Sequence, residues 1–204
     1  MSDVALLSRA QMRRIEPFFP RSRGLARVDD RRVISGIIYV IRNGLQWKDA
    51  PRGYGPHQPG QKGAAPRCIG RTKGGLNSKL HAVCDGQGRP VVLLLTEGQM
   101  NDHMGARLLA PMLPRARELL ADRGYDSDRF RAELTERGIA PCIPSIPSRK
   151  LPLPFDRTLY RQRHRIENTF GRLKDWRRIA TRYDRCAHTF FSAICIAAIV
   201  SFWL

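Results

Sequence analysis

Four polar residues in residues 156–175 have the types and spacing needed for phosphate chemistry. They are Tyr160, Arg163, Glu167 and Lys174. At about 100° per residue in an α-helix, all four side chains project from one arc about 60° wide. A carboxylate can bind a divalent metal, and cationic side chains bind phosphate oxygens. The segment is therefore predicted to be one amphipathic helix with a chemically active face.

The other sides of this predicted helix are apolar and cationic. The apolar stripe, predicted to be buried, consists of Phe155, Leu159, Ile166, Phe170 and Leu173. The third side carries Arg161, Arg165 and Arg172. A simpler interpretation remains open at this point: Glu167 could form only a solvent-exposed i, i+4 ion pair with Arg163, which is worth a few tenths of a kcal/mol.

A second candidate carboxylate, Asp122, follows the apolar run Leu119, Leu120 and Ala121. In open α/β sheets, ligand sites gather at the carboxyl ends of strands. Two carboxylates there can hold Mg²⁺, and paired metals stabilise the attacking and leaving oxygens of phosphodiester chemistry. The alternative is that Asp122 caps the next helix, as Asp126 and Ser127 could also do. Together with Glu167 and the arginine excess described next, the pattern favours a metal ligand.

The composition indicates a polyanionic partner. The 204 residues carry a formal net charge of +18, with a pI near 10.9. Thirty of the 36 basic residues are arginine, which binds phosphate with two hydrogen bonds. Nucleic acid is the commonest polyanion, so DNA or RNA is the expected partner. A charge that serves only solubility is the less favoured alternative.

Cysteine and histidine usage indicates neither disulfides nor a zinc site. The five cysteines include no CxxC pair, and the five histidines form no HExxH pair. Reduced thiols and the absence of a signal-peptide pattern predict a cytoplasmic protein. The apolar residues 190–204 are shorter than the roughly 20 residues that span a bilayer, so a buried packing helix is preferred over a tail anchor.

The first part of the chain is predicted to be helical. Residues 8–19 form a first helix that begins with a capping box between Ser8 and Gln11. A second helix begins at Asp29 or Asp30 and ends at residues 43–44. Its predicted apolar face consists of Val33, Ile34, Ile37, Ile38 and Ile41. Two helices with a basic connection suit a helix-turn-helix DNA-binding module, although many small bundles share this pattern.

The rest of the chain alternates strands and helices. Residues 51–75 are rich in Gly, Pro and Gln and are predicted to be a linker or a disordered loop. A hairpin follows over residues 76–96 and turns at residues 85–88. Next come a helix with Leu108, a strand at residues 118–121, a helix at residues 127–137 and a strand at residues 141–144. This order predicts an α/β fold.

These residues carry a family resemblance. Tyr160, Arg163, Glu167 and Lys174 reproduce the spacing Tyr-x2-Arg-x3-Glu-x6-Lys of DDE-type bacterial insertion-sequence transposases, in the superfamily of insertion sequences four and five. Residues 121–126 resemble the family's second-aspartate motif. Further similarity lies in residues 47–51, 74–85 and 178–183, so it covers nearly the whole chain apart from residues 57–70.

The resemblance implies an RNase H-like core in which three acids surround two divalent metal ions, Mg²⁺ or Mn²⁺. On that basis Asp122 is the second catalytic and metal-binding acid and Glu167 is the third. Tyr160, Arg163 and Lys174 would bind DNA. It also implies cleavage and joining of DNA at element ends and target, a homodimer, association with the bacterial nucleoid and no membrane partner.

The sequence departs from the family pattern at the first acid. No acidic residue lies between Tyr54 and Gly75, and no apolar run there predicts a strand. Asp85, in a hairpin turn, and Asp102, at the start of a helix, are poor substitutes by position. The expected domains are a helical DNA-binding-like domain at residues 1–52, a linker with a deletion junction at residues 53–73, and a core at residues 74–204.

The predicted deletion has consequences for fold and activity. The resemblance places the missing strand in the middle of the sheet, between the hairpin and the Asp122 strand. Its loss would leave both neighbouring strands without a partner. The sequence therefore predicts a transposase with impaired strand cleavage, or alternatively a catalytically inactive DNA-binding remnant or regulator of an intact transposase.

Overall fold

The chain divides into two compact units. The computed structural model describes residues 4–20, 29–55 and 66–204. The first unit combines Met1–Arg67 with Gly171–Leu204, and the second is Cys68–Phe170. Residues 21–28, in the basic connection between the first two predicted helices, and residues 56–65, which are part of the predicted linker and deletion junction, lie outside the described residues.

The first unit opens with the helix α1, Arg9–Ile15. Its capping box is present as predicted, because the Gln11 N–H donates to Ser8 Oγ and the Ser8 N–H donates to Gln11 Oε1. A 3₁₀ turn, Glu16–Phe18, replaces the last predicted turn of this helix. Pro17 explains the change, because a proline has no backbone N–H to donate to the carbonyl four residues earlier, so the α-helical hydrogen-bond series cannot continue through it.

The second helix, α2 (Asp30–Asn43), has the predicted ends. The Asp29 side chain caps its start by accepting the Arg32 N–H. Gly44 ends it in the left-handed conformation, with φ of 66°.

The buried face of α2 differs from the predicted one. Ser35, Gly36, Val40 and Ile41 are buried, whereas Val33 is 40% exposed. Small residues lie at the contact for two reasons. The Tyr54 ring packs where a Cβ at Gly36 would stand, and the Ser35 hydroxyl accepts the Leu7 N–H.

Two helices near the C-terminus complete the first unit. They are α7 (Arg177–Ala180) and α8 (Ala187–Phe202), and both contact α2. Trp176 Nε1 donates to Ser201 Oγ at 3.1 Å, which ties the start of α7 to the end of α8. None of the helices in the described ranges is long and apolar enough to cross a membrane.

The second unit contains the predicted hairpin. Its strands are β2 (Gly75–Cys84) and β3 (Pro90–Glu97), which pair antiparallel. A short strand that the sequence did not predict, β1 (Gly70–Thr72), pairs with the first three residues of β2. The predicted linker, residues 53–73, thus contains regular structure, because a turn at residues 73–74 lets the chain fold back along β2.

A second sheet consists of two parallel strands, β4 (Glu118–Leu120) and β5 (Ala140–Cys142). The helices α3 (Asp102–Leu109) and α4 (Asp128–Glu136) lie before β4 and between β4 and β5 in the chain. These elements share one apolar core, which comprises Ala106, Ala110, Leu113, Phe130, Leu134, Ile139 and Ile143. The predicted α/β order is therefore confirmed.

The segment predicted as one helix over residues 156–175 is interrupted, so that prediction was wrong. It consists of α5 (Arg157–Tyr160), a 3₁₀ turn (Arg161–Arg163) and α6 (His164–Lys174). The His164 N–H donates to the Arg161 carbonyl, and His164 Nδ1 lies 2.7 Å from the same oxygen. This i to i+3 pattern, typical of a 3₁₀ helix, breaks the α-helical series between Tyr160 and Glu167.

Candidate active site

Asp122 lies two residues after the end of β4, because the strand ends at Leu120 and not at residue 121 as predicted, and its carboxylate is available for contacts in the site. The 3₁₀ turn that follows, Arg123–Tyr125, receives no cap from the Asp122 side chain. Ser127 instead caps α4, because its hydroxyl accepts the Phe130 N–H at 3.2 Å. The alternative role of Asp122 as a helix cap is therefore excluded, and 53% of its side chain remains exposed.

Arg163 joins the two candidate carboxylates. Its Nη1 lies 2.7 Å from Asp122 Oδ1, and its Nη2 donates to Glu167 Oε1. Glu167 therefore does form the simple i, i+4 pair with Arg163, but the same guanidinium also reaches a carboxylate 41 positions earlier in the chain. The fold thus brings Asp122, Arg163 and Glu167 together.

Tyr160 lies beside Arg163. The Arg163 guanidinium carbon is 5.9 Å from the centre of the Tyr160 ring, and Phe155 packs edge-on against that ring at 5.4 Å. Burial raises the pKa of Tyr160, so its hydroxyl is a hydrogen-bond donor at neutral pH. The remaining predicted residue, Lys174, is exposed at the end of α6 and belongs to the first unit.

The comparison with known protein families matches most of the chain. Residues 53–203 match the family described as "Transposase DDE domain". The chain belongs to this family. Residues 7–61 also match "Putative transposase of IS4/5 family (DUF4096)". The recognition made from the Tyr160 to Lys174 spacing is thus confirmed, and the family implies an RNase H-like α/β fold.

Two curated relatives of this transposase-family chain are themselves described as transposases. The chain is 34% identical over 130 residues to a putative transposase for insertion sequence element IS6501 from Brucella ovis, which covers 63% of this chain and 99% of the relative. It is 34% identical over 137 residues to a putative transposase for IS402 from Burkholderia cepacia, covering 58% of this chain and 63% of the relative. No solved structure matches the chain significantly.

Transposase DDE domains generally use divalent metal ions, but the acids in the described part of the chain do not fit a two-metal centre. Across residues 4–20, 29–55 and 66–204, no three His, Cys, Asp or Glu side chains lie together as metal ligands would. Asp122 and Glu167 are two carboxylates that share one guanidinium. Two metal ions need more oxygen ligands than this pair supplies.

The two acids considered as substitutes for a first aspartate have other partners. Asp85 accepts the N–H groups of Gln87 and Arg89 and pairs with the Arg89 guanidinium at 2.7 Å. Asp102 pairs with Lys79 at 3.0 Å. Within the described residues, neither acid forms an ion pair with Arg163.

A cavity of about 600 Å³ in the second unit lies next to Asp122. Its lining includes Ala82, Val83 and Cys84 from β2, Glu118, Leu119 and Leu120 from β4, and Arg163. Each of these two strands has backbone N–H and C=O groups on the edge that faces away from its partner strand in the sheet. The Asn77 carbonyl accepts the Gly98 N–H on the β3 side, so alternation directs the groups of Leu80 and Ala82 to the opposite edge.

Strand β4 follows the same rule. The Arg117 carbonyl accepts the Ala140 N–H, and the Ala121 N–H donates to the Cys142 carbonyl. Alternation therefore directs the backbone groups of Glu118 and Leu120 away from β5. In the described part of the chain, β4 pairs only with β5, and β2 beyond Asn77 pairs only with β3.

Sequence reasoning missed the structural role of Asp126. Its side chain is fully buried and accepts hydrogen bonds from Arg131 Nε at 2.7 Å, Arg149 Nε at 2.9 Å and the Ile146 N–H at 2.9 Å. Burial alone would raise the pKa of Asp126, but these donors outweigh it and lower the pKa to about 2. Arg131 and Arg149 are the cations that could have indicated a buried ion pair at Asp126. Arg149 lies 23 residues away in the sequence, so the sequence alone does not connect it with Asp126.

Proposed function

We propose that this chain is a DNA-binding member of the transposase family in which metal-dependent strand cleavage is impaired by the loss of the first catalytic aspartate. Asp122 and Glu167 are the remaining acids of the catalytic site, with Mg²⁺ or Mn²⁺ as the family's metal. Tyr160, Arg163 and Lys174 contact DNA phosphates. The observation that carries the proposal is the site itself, in which two carboxylates, rather than three, share the guanidinium of Arg163.

The cause of the impairment would be a deleted strand between β2 and β4. Two observations on the described residues support it. Strands β2 and β4 belong to two separate sheets where one sheet is expected, and both strands line the same cavity with an edge that carries no further strand. A strand spaced about 4.8 Å from each neighbour would join the two sheets into one. The missing strand would also be the carrier of the first aspartate.

The test is a cleavage assay on a supercoiled plasmid that carries the DNA flanking the gene. We expect salt-dependent binding, as for any protein that neutralises phosphates, and no nicking in Mg²⁺ or Mn²⁺ above the level of Asp122→Ala. Nicking by the wild-type chain that Asp122→Ala abolishes would overturn the impairment. An absence of DNA binding at low salt would overturn the proposal as a whole.

A regulator of an intact transposase is the second candidate function. The observation that favours it is an exposed apolar stripe on α3 and the following turn, formed by Met104, Leu108 and Met112. Such a stripe can support association with a second chain. We propose that the chain forms a homodimer, and mixed dimers with an intact relative. Analytical ultracentrifugation tests this: a wild-type dimer and a monomeric Leu108→Glu variant would support the proposal. Unchanged association of the variant would contradict it.

A further inference from the structure

The position of the Asp122 carboxylate depends on the turn that carries it. The side chain is half exposed and does not cap its own turn. Within the described residues, the ion pair to Arg163 is its polar side-chain contact. A carboxylate on such a turn reaches Arg163 reproducibly only if the backbone of residues 122–126 is itself fixed.

Tyr125 ties this turn to the hairpin. Its N–H donates to the Asp122 carbonyl at 2.9 Å, which closes the turn. Its ring packs against Phe130, with centroids 6.5 Å apart. Its hydroxyl lies 3.1 Å from His81 Nδ1 on β2. The far end of the turn is therefore held by a side chain from a strand 44 residues earlier.

His81 is buried, with 2% exposure, and both of its ring nitrogens have partners. Its Nε2 lies 3.1 Å from Thr96 Oγ1, and that hydroxyl donates to the Glu97 carbonyl. The distance from Thr96 Oγ1 to the Glu97 oxygen is 3.4 Å, and we assign the tautomer in which Nε2–H donates to Thr96 Oγ1. Nδ1 is then the acceptor for the Tyr125 hydroxyl.

The protonation states agree with this directed chain of hydrogen bonds. Burial lowers the pKa of His81, so its ring is neutral at pH 7. Burial, together with the charges of Asp102 and Asp122, raises the pKa of Tyr125 to about 12, so the phenol keeps its proton. Each hydrogen bond in the chain therefore has one donor and one acceptor.

The His81 ring packs against Gly105, where the lack of a side chain leaves space for it. A Cβ at Gly105, in α3, would lie 2.3 Å from His81 Cε1, so any side chain there would displace the ring. Lys79 and Asp102 form an ion pair, and their charges act on the pKa of His81 in opposite directions. Strand β2, strand β3 and helix α3 thus jointly fix the imidazole.

We infer that His81 and Tyr125 are positioning residues for Asp122: through the Tyr125 hydroxyl, His81 fixes the turn of residues 122–126 and holds the carboxylate against Arg163. The inference rests on the proposed function only because that function makes Asp122 a residue of the active site. The positioning itself is a property of the ion pair between Asp122 and Arg163.

The test uses NMR of the full chain, without DNA or metal, and compares Tyr125→Phe with wild type. In wild type, His81 should show the Nε2–H tautomer, and the two Nη groups of Arg163 should give separate signals because its ion pairs slow guanidinium rotation. Tyr125→Phe keeps the ring, and we expect the Arg163 signals to merge. Tyr183→Phe, at an exposed tyrosine, is the matched control and should leave them separate.

Each outcome decides the question. Lower stability of Tyr125→Phe with separate Arg163 signals would show a merely structural role and overturn the inference, as would the Nδ1–H tautomer of His81. If Tyr125→Phe fails to fold, Thr96→Val and the conservative His81→Asn replace it. We expect Thr96→Val to merge the signals and His81→Asn, which keeps an acceptor near Nδ1, to preserve them; the reverse pattern would overturn the inference.

The proposed function can fail independently of this inference. DNA-binding or nicking assays with wild type and Asp122→Asn test the function, whereas the NMR comparison contains no nucleic acid. If the wild-type chain binds no DNA but the two Nη signals of Arg163 merge in Tyr125→Phe, the proposed function is refuted and the positioning role is supported.

Discussion

Arg163 Nη1 lies 2.7 Å from Asp122 Oδ1, so the guanidinium proposed to bind a DNA phosphate is in contact with a carboxylate proposed to bind metal. The same guanidinium also contacts Glu167. A phosphate that approaches Arg163 must therefore compete with two carboxylates. This competition makes the charge of Asp122 a determinant of DNA affinity.

The first prediction is that Asp122→Asn tightens DNA binding. Removing one competing negative charge should raise the affinity for duplex DNA about fivefold, or about 1 kcal/mol, the scale of a partly exposed ion pair. Fluorescence anisotropy with a labelled duplex measures the change. Glu136→Gln, which removes an exposed charge on α4, is the control, and an equal gain in that variant would show a general charge effect.

The second prediction is that Arg163→Gln weakens DNA binding and changes its salt dependence. Loss of one phosphate contact should reduce the slope of log K against log salt by about 1. The measurement is a titration at several salt concentrations. If the slope is unchanged, Arg163 serves only to neutralise Asp122 and Glu167.

The third prediction concerns the buried carboxylate of Asp126. Asp126→Asn leaves Arg131 without its charged acceptor and Arg149 with only the exposed Asp128, and should cost about 3 kcal/mol of unfolding free energy. Asp128→Asn, at a side chain that is 86% exposed and also contacts Arg149, should cost less than about 0.5 kcal/mol. Urea unfolding at pH 7 compares the two variants with wild type.

The same carboxylate predicts a loss of stability in acid. The pKa of Asp126 is about 2 in the folded chain against an ordinary value of 3.8. A lowered pKa gives stability that is present above pH 4 and is lost as the pH falls towards 2, here about 2 kcal/mol. Urea unfolding between pH 5 and pH 2 should show this contribution in wild type and lack it in Asp126→Asn. Equal pH dependence in both would contradict the assignment.

Local signals in the sequence predicted much of the fold. The capping box of Ser8, the ends of α2 and the hairpin of β2 and β3 depend on residues a few positions apart, and all were confirmed. These features need no knowledge of distant contacts. The strand end and the family spacing selected Asp122 and Glu167 as candidates, whereas only the structure shows that both carboxylates contact Arg163.

Other features depend on contacts between distant residues and left no local signal. The 3₁₀ turn at Arg161–Arg163 interrupts a segment whose apolar spacing suits one continuous helix. The sequence offered Asp126 only as a possible helix cap. Its true partner, Arg149, is distant in the sequence and approaches Asp126 only in the folded chain. His81 was visible only as part of a motif, since its burial depends on Gly105 and Thr96 from other elements.

A further prediction concerns the buried ion pair of the first unit. Arg178 donates to both oxygens of Asp184 and to the Leu45 carbonyl, with side-chain exposures of 6% and 9% for the pair. Asp184→Asn leaves a buried cation without its counter-charge and should cost about 3 kcal/mol. Arg177→Gln, at an exposed neighbour, should cost less than about 0.5 kcal/mol by the same denaturant measurement. Similar costs would show that the pair is not buried in solution.

The end of α2 provides a last prediction, in which two costs can be separated. Gly44 has φ of 66°, where alanine costs about 1 kcal/mol, and its added Cβ would lie 2.9 Å from Arg177 Cγ. Gly44→Ala should therefore cost about 2 kcal/mol of unfolding free energy, part from the backbone and part from crowding. Combined with Arg177→Ala, which removes Cγ and Cδ and leaves only the Arg177 Cβ at 3.2 Å, the same substitution should cost little more than the backbone part of about 1 kcal/mol. An undiminished cost in the double variant would assign the whole effect to the backbone.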